Sequence, residues 1–156
     1  MTEPYFIFKN INSLDYDIVI DEDWLPPIEK AEDDIEYIEV PGRDGVLTVN
    51  NGRKNPIYKT IHCVLNNHEY KDIVKKWLTG EGELIISNEP DVFYKSRVYR
   101  PVQFGYSFVA TSEFEINFIC QPWAYLLTGK NKIIINSQDT IINNPGEIAK
   151  PLIKIY

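Results

Sequence analysis

Apolar and polar residues alternate along much of the chain with a period of two, and in one place with a period near 3.6. The alternation is cleanest over Ile57–Leu65. There Ile57, Lys59, Ile61, Cys63 and Leu65 fall on one side, and Tyr58, Thr60, His62 and Val64 on the other. Phe114, Ile116 and Phe118 alternate in the same way with Glu115, Asn117 and Ile119. Successive side chains of a strand point to opposite faces, so both stretches predict strands with one buried face. Shorter runs rich in β-branched and aromatic residues predict strands at 5–8, 18–20, 35–40, 46–49, 83–87, 93–104 and 108–120. Three more are expected at 132–136, 140–143 and 151–156, the last ending the sequence inside a strand. Pro41-Gly42-Arg43-Asp44-Gly45 and Asn50-Asn51-Gly52 read as turns, because glycine takes positive φ at little cost. Gln121-Pro122-Trp123 is expected to break the strand before it.

The 3.6-residue pattern is Tyr70, Ile73, Val74, Trp77 and Leu78, the stripe of a helix packed on a core. Asn66 or Asn67 is placed to cap its start, and Gly80 to end it. Gly80-Glu81-Gly82-Glu83 reads as a helix cap and turn. It lacks the lysine of a phosphate loop and follows a helix instead of preceding one. Residues 21–34 hold two prolines and seven acids, and read as an extended surface loop. Many strands around one helix predict a mainly β fold: a β-sandwich or barrel-like core of antiparallel sheets with one α-helix packed on it.

At 156 residues the chain has length for one domain and a substantial core. The net charge of −7 disfavours nucleic acid, whose phosphates need clustered cations. The first nine residues lack the pattern of a signal peptide, and no apolar run is long enough to span a bilayer. Cys63 and Cys120, 57 residues apart, form no Cys-x-x-Cys pair. One disulfide between them or two buried thiols both fit, and buried thiols in a reducing compartment are the expected state.

Candidate chemistry is sparse. The acids Glu22, Asp23, Glu29, Glu32, Asp33 and Asp34 lack the ordered spacing of a calcium loop and read as a solvated loop. His62 and Cys63 are adjacent on a strand and so face opposite ways, which argues against joint zinc ligation; His68 reads as opening the helix. No Gly-x-Ser-x-Gly elbow is present. No catalytic, cofactor-binding or metal-binding residues are assigned. Trp24 and Trp123, each close to a proline, are candidates for an intermolecular contact.

Several segments carry a family likeness. Phe6-Ile7-Phe8-Lys9-Asn10-Ile11-Asn12-Ser13, Tyr37-Ile38-Glu39-Val40-Pro41-Gly42-Arg43-Asp44-Gly45 and Trp77-Leu78-Thr79-Gly80-Glu81-Gly82-Glu83-Leu84 resemble the distal tail proteins of long-tailed (siphophage-type) phages. Cys120-Gln121-Pro122-Trp123-Ala124-Tyr125 and Asn144-Pro145-Gly146 fit the same pattern. The resemblance implies a structural virion protein, not an enzyme. It implies six copies in a ring at the distal end of the tail tube, joined to the host-adsorption apparatus. Partners would be further copies of the chain, the tail tube protein and a tail-associated fibre or lysin-type hub protein. The expected location is the virion tail tip, after synthesis in the bacterial host cytoplasm. Residues 1–128 would be the N-terminal ring-forming domain with an extended hairpin arm. Residues 129–156 would be a linker and the first strands of a truncated galectin-like second domain. Subunit-interface candidates are Trp24, Tyr37, Arg43, Asp44, Val46 and Trp123. Two competing readings are a carbohydrate-binding β-sandwich working through Trp24 or Trp123, and a hydrolase with paired carboxylates.

Overall fold

A computed structural model describes residues 3–20, 23, 25–105, 111–135, 141–144, 146–147 and 153–154. The strands are β1 (Phe6–Phe8), β2 (Ile11–Asn12), β3 (Ile18–Ile20), β4 (Asp33–Glu39), β5 (Val46–Lys54), β6 (Ile57–Leu65), β7 (Glu81–Ile86), β8 (Val92–Val98) and β9 (Ser112–Leu126), with one helix, α1 (Lys71–Trp77). Seven strands form an antiparallel sheet in the order β2-β1-β7-β8-β9-β6-β3, and β4 and β5 pair only with each other.

The chain's own connectivity forces this sheet to curl. Flat, seven strands would hold their edges roughly 29 Å apart. Yet β2, on one edge, reaches β3, on the other, through Ser13–Asp17 alone, mostly a 3-10 turn. Six Cα steps span at most about 22 Å, and a 3-10 turn shortens that further. The edges therefore approach and the sheet closes into a barrel-like core. Ser13, fully buried in this bridge, accepts a hydrogen bond from the Phe6 backbone N–H at 3.2 Å.

The inward face follows the predicted alternation. Ile57, Lys59, Ile61, Cys63 and Leu65 of β6, and Ser112, Phe114, Ile116, Phe118 and Cys120 of β9, are buried. The helix covers this face with Val74, Trp77 and Leu78. It is shorter than its stripe suggests: a 3-10 turn at His68–Tyr70 precedes it, capped by the Asn67 side chain. Ile73 stays 46% exposed, because seven helical residues present only a narrow seam to the barrel. Gly80, at φ 69°, turns the chain into β7.

Several boundaries differ from expectation. Asn50-Asn51-Gly52 is not a turn; β5 runs through it, and Asn51-Gly52-Arg53 bulges opposite Asp34. Gln121-Pro122-Trp123 does not break β9. It bulges opposite Lys95, and pairing resumes from Ala124 to Leu126. A bulge tolerates a proline that a regular ladder would not. Gly82 lies inside β7, opposite Ser96, not in a turn. β8 ends at Val98, well short of 104, and Asp33 and Asp34 already belong to β4. Of the three strands expected after 131, residues 132–135, 141–143 and 153–154 are described and are not in strands; the others lie outside the described residues.

Candidate assembly surface

The β4–β5 hairpin is the part of the fold that the barrel does not need. Its two strands make their substantial contacts with each other. Every residue from 36 to 54 except half-buried Val49 is exposed. The register explains what it displays. Paired residues share a face, so Ile38, Leu47 and Val49 with Glu36 form one face, and Ile35, Tyr37, Val46 and Thr48 with Glu39 form the other. Both faces are therefore apolar in the middle. Tyr37 is 65% and Val46 47% exposed. An isolated two-stranded ribbon is marginal in water, and one with two apolar faces gains most by being covered on both.

The hairpin's base is fixed by polar contacts. The Asn55 N–H donates to the Glu32 carbonyl at 2.8 Å, Lys54 pairs with Asp33 at 2.7 Å, and Arg53 pairs with Asp34 at 3.0 Å. The tip, residues 41–45, uses Gly42 (φ 81°) and Gly45 (φ 79°), and holds Arg43 and Asp44 exposed. Of the sequence candidates, Tyr37, Arg43, Asp44 and Val46 thus fall on this one projecting element. Trp123 does not join them; it is 42% exposed in the β9 bulge. Trp24 lies outside the described residues.

The proline-rich stretch read from sequence as an extended surface loop is, in part, a strap packed on the core that feeds the hairpin. Residues 25–31 run across the barrel, with Pro26 buried and Leu25 and Ala31 half-buried against the core. Two side chains hold its backbone. Asn88 donates to the Pro26 carbonyl and Lys59 to the Pro27 carbonyl, both at 2.9 Å. The Lys59 side chain is wholly buried. Its ammonium lies 3.7 Å from Glu89 Oε2 and 4.8 Å from the Tyr94 ring centre, and the Tyr94 hydroxyl donates to the same Glu89 oxygen at 2.8 Å. Burial and the bond to Glu89 push the Tyr94 hydroxyl pKa up. The available signal was a lysine in the middle of an otherwise apolar strand face.

The zinc and disulfide alternatives find their residues dispersed. Cys63 points into the core, while His62 faces outward, 3.2 Å from Glu115. His68 instead sits 3.4 Å from the Ser112 hydroxyl. Cys120 lies opposite Ile57, six residues along β6 from Cys63. That is roughly 20 Å, well beyond disulfide reach, and both thiols are free. Among the described residues no three His, Cys, Asp or Glu side chains gather as a metal site, and no helix is long and apolar enough to cross a membrane. An open polar cleft of about 550 Å³ lies where residues 99–105 bow away from β9. It is lined by His62, Glu115, Glu113, Asn117, Arg100 and Gln103 among others.

No family model and no curated protein matches the chain. Among solved structures it is similar to the SPP1 Dit (gp 19.1) protein, described as a paradigm of hub adsorption apparatus in Gram-positive infecting phages. The TM-score is 0.64 and the sequence identity 15%, over 80% of this chain and 53% of that one. The chain thus spans about half the length of that protein. At so low an identity the likeness is one of architecture: the curled seven-stranded sheet and the helix packed on it share the fold of a phage hub protein.

Proposed function

We propose that this chain is a structural subunit of a phage or phage-derived tail hub. Six copies close into a ring at the distal end of the tail tube and link it to the host-adsorption apparatus. The chain's role in this reading is assembly, not catalysis. Its partners are its own copies, the tail tube protein and a tail-associated fibre or lysin-type protein, and its place is the virion tail tip. Residues 1–128 form the ring, and residues 129–156 are the linker and start of a truncated galectin-like second domain.

The observation that carries this reading is the hairpin with two uncovered apolar faces, on a fold shared with a hub protein. A closed ring needs one contact repeated around an axis, in which a surface of one copy meets a different surface of the next. A projecting arm supplies such a contact without reshaping the barrel. The test is the mass of the chain in solution by light scattering and native mass spectrometry, with a 36–54 deletion beside it. A sixfold species that disappears on deletion, while the β-rich circular dichroism stays, supports the hub. A chain that is monomeric at every concentration, or a ring that forms unchanged without the arm, removes it.

A further inference from the structure

Among the described residues the hairpin's strands make their substantial contacts with each other, and they pair with no strand of the barrel. Its base is held by the Asn55–Glu32, Lys54–Asp33 and Arg53–Asp34 contacts, and the strap before β4 is anchored in turn by Lys59 and Asn88. We propose that Lys59 is the positioning residue of the arm: its buried ammonium clamps the Pro27 carbonyl and so sets the angle at which β4 and β5 project toward a neighbouring copy. This rests on the hub reading for its use, but not for its geometry.

The physical case begins with cost. A lysine ammonium deep in a core is expensive unless its donors are satisfied, and an apolar residue would fill the same strand position more cheaply. Lys59 meets that cost on three sides at once: the Pro27 carbonyl, the Glu89 carboxylate and the face of Tyr94. Glu89 and Tyr94 are barrel residues at and next to β8, whereas Pro27 is not part of the sheet. The cluster therefore ties a peripheral backbone segment to the barrel. Within the barrel the same ammonium also links β6 to Tyr94 of β8 and to Glu89 in the turn before it. Asn88 repeats the arrangement one residue earlier, on the Pro26 carbonyl. Proline also narrows the strap, since both residues have φ fixed near −65°. Six residues after Pro27 the chain enters β4. An arm so held loses little freedom when it docks, and a swinging arm would lose much more.

The experiment compares the full chain with a Lys59→Met, Glu89→Gln double variant, which removes both charges together and leaves neither one buried alone. Spin labels at Ile28→Cys on the strap and at Thr48→Cys on the arm are each paired with Asp72→Cys on α1, using labelled chain diluted in unlabelled chain. The parent gives narrow distance distributions for both pairs. In the double variant both distributions broaden, and ring assembly weakens about tenfold or more, the ratio equivalent to losing one charged hydrogen bond. Distributions that stay narrow overturn the proposal, as do broadened ones with assembly unchanged. If the double variant loses its circular dichroism, Asn88→Ala decides by the same distances: broadening of the strap pair supports the clamp, and no change overturns it. A parent that never assembles defeats the hub reading alone, and the distances then judge the clamp by themselves.

Discussion

The rings of Phe6 and Trp77 stack within 4° of parallel, their centres 5.5 Å apart, and the indole N–H of Trp77 donates to the Phe8 carbonyl at 2.9 Å. One helical side chain thus closes on both ends of β1. Tyr16, from the turn that joins the two sheet edges, packs on the same indole at 5.3 Å. Trp77 is where the helix, the edge strand and the closing turn meet. Trp77→Phe keeps most of the apolar contact but orphans the Phe8 carbonyl, and should cost about 1–3 kcal/mol. Trp77→Ala should cost about 3–5 kcal/mol. Urea denaturation measures both, and equal losses would show that the hydrogen bond and the stacked ring matter less than this account requires.

Gly82 is the one glycine whose missing side chain is forced by packing. A Cβ there would sit 2.6 Å from Lys9 Cγ and 2.9 Å from Phe8 Cε2. The lysine can move aside, but the Phe8 ring is fully buried and has no free space to enter. Gly82→Ala should therefore destabilise by about 1–3 kcal/mol. Gly129, whose Cβ would meet nothing within 4 Å, serves as the control, and its alanine variant should lie within about 0.5 kcal/mol of the parent. Matching denaturation midpoints for the two variants would defeat the argument.

How far the sequence spoke depended on how local each cause was. The faces of β6 and β9 were legible because strict alternation needs no partner to be read. The hairpin from 35 to 49 was legible because Gly42 and Gly45 punctuate it. The bulges were not. Asn51-Gly52 and Gln121-Pro122 look like strand ends, and only the opposing strand decides that pairing resumes beyond them. Gly82 looked like a turn residue for a similar reason, since its demand comes from Phe8, 74 positions earlier in the chain. Lys59 was seen on the core face, but its function depends on a backbone carbonyl 32 residues away.

The two thiols predict how stability responds to alkali. Burial pushes the Cys63 pKa well up and that of Cys120 up to about 12, from an ordinary value of 9.0. The folded chain keeps these protons while the unfolded chain releases them above about pH 9. Unfolding is then favoured as pH rises, by up to about 1.4 kcal/mol per pH unit for each thiol. The urea midpoint should fall between pH 8 and pH 10.5, and a Cys63→Ser, Cys120→Ser double variant should show a shallower fall. A thiol reagent at pH 8 should modify neither cysteine until the chain unfolds. Rapid labelling of the native chain would contradict the burial of both.

The arm separates folding from assembly. Tyr37 and Val46 lie on one face of the hairpin, with the Ile38–Leu47 pair between their registers, and neither belongs to the buried core. Trimming both to alanine removes little that the isolated chain uses, so the denaturation midpoint should shift by less than about 0.5 kcal/mol. In a ring, a tyrosine buried at a subunit contact commonly contributes 1–2 kcal/mol or more, so association should weaken by about tenfold or more. Ile38→Asp with Leu47→Asp probes the opposite face, where a buried carboxylate pair would repel any apolar surface laid on it. If both faces are covered in the assembly, each double variant dissociates the ring. If only one does so, the arm lies flat on a single neighbour with its other face in water. If neither does, the hairpin is not the contact that closes the ring.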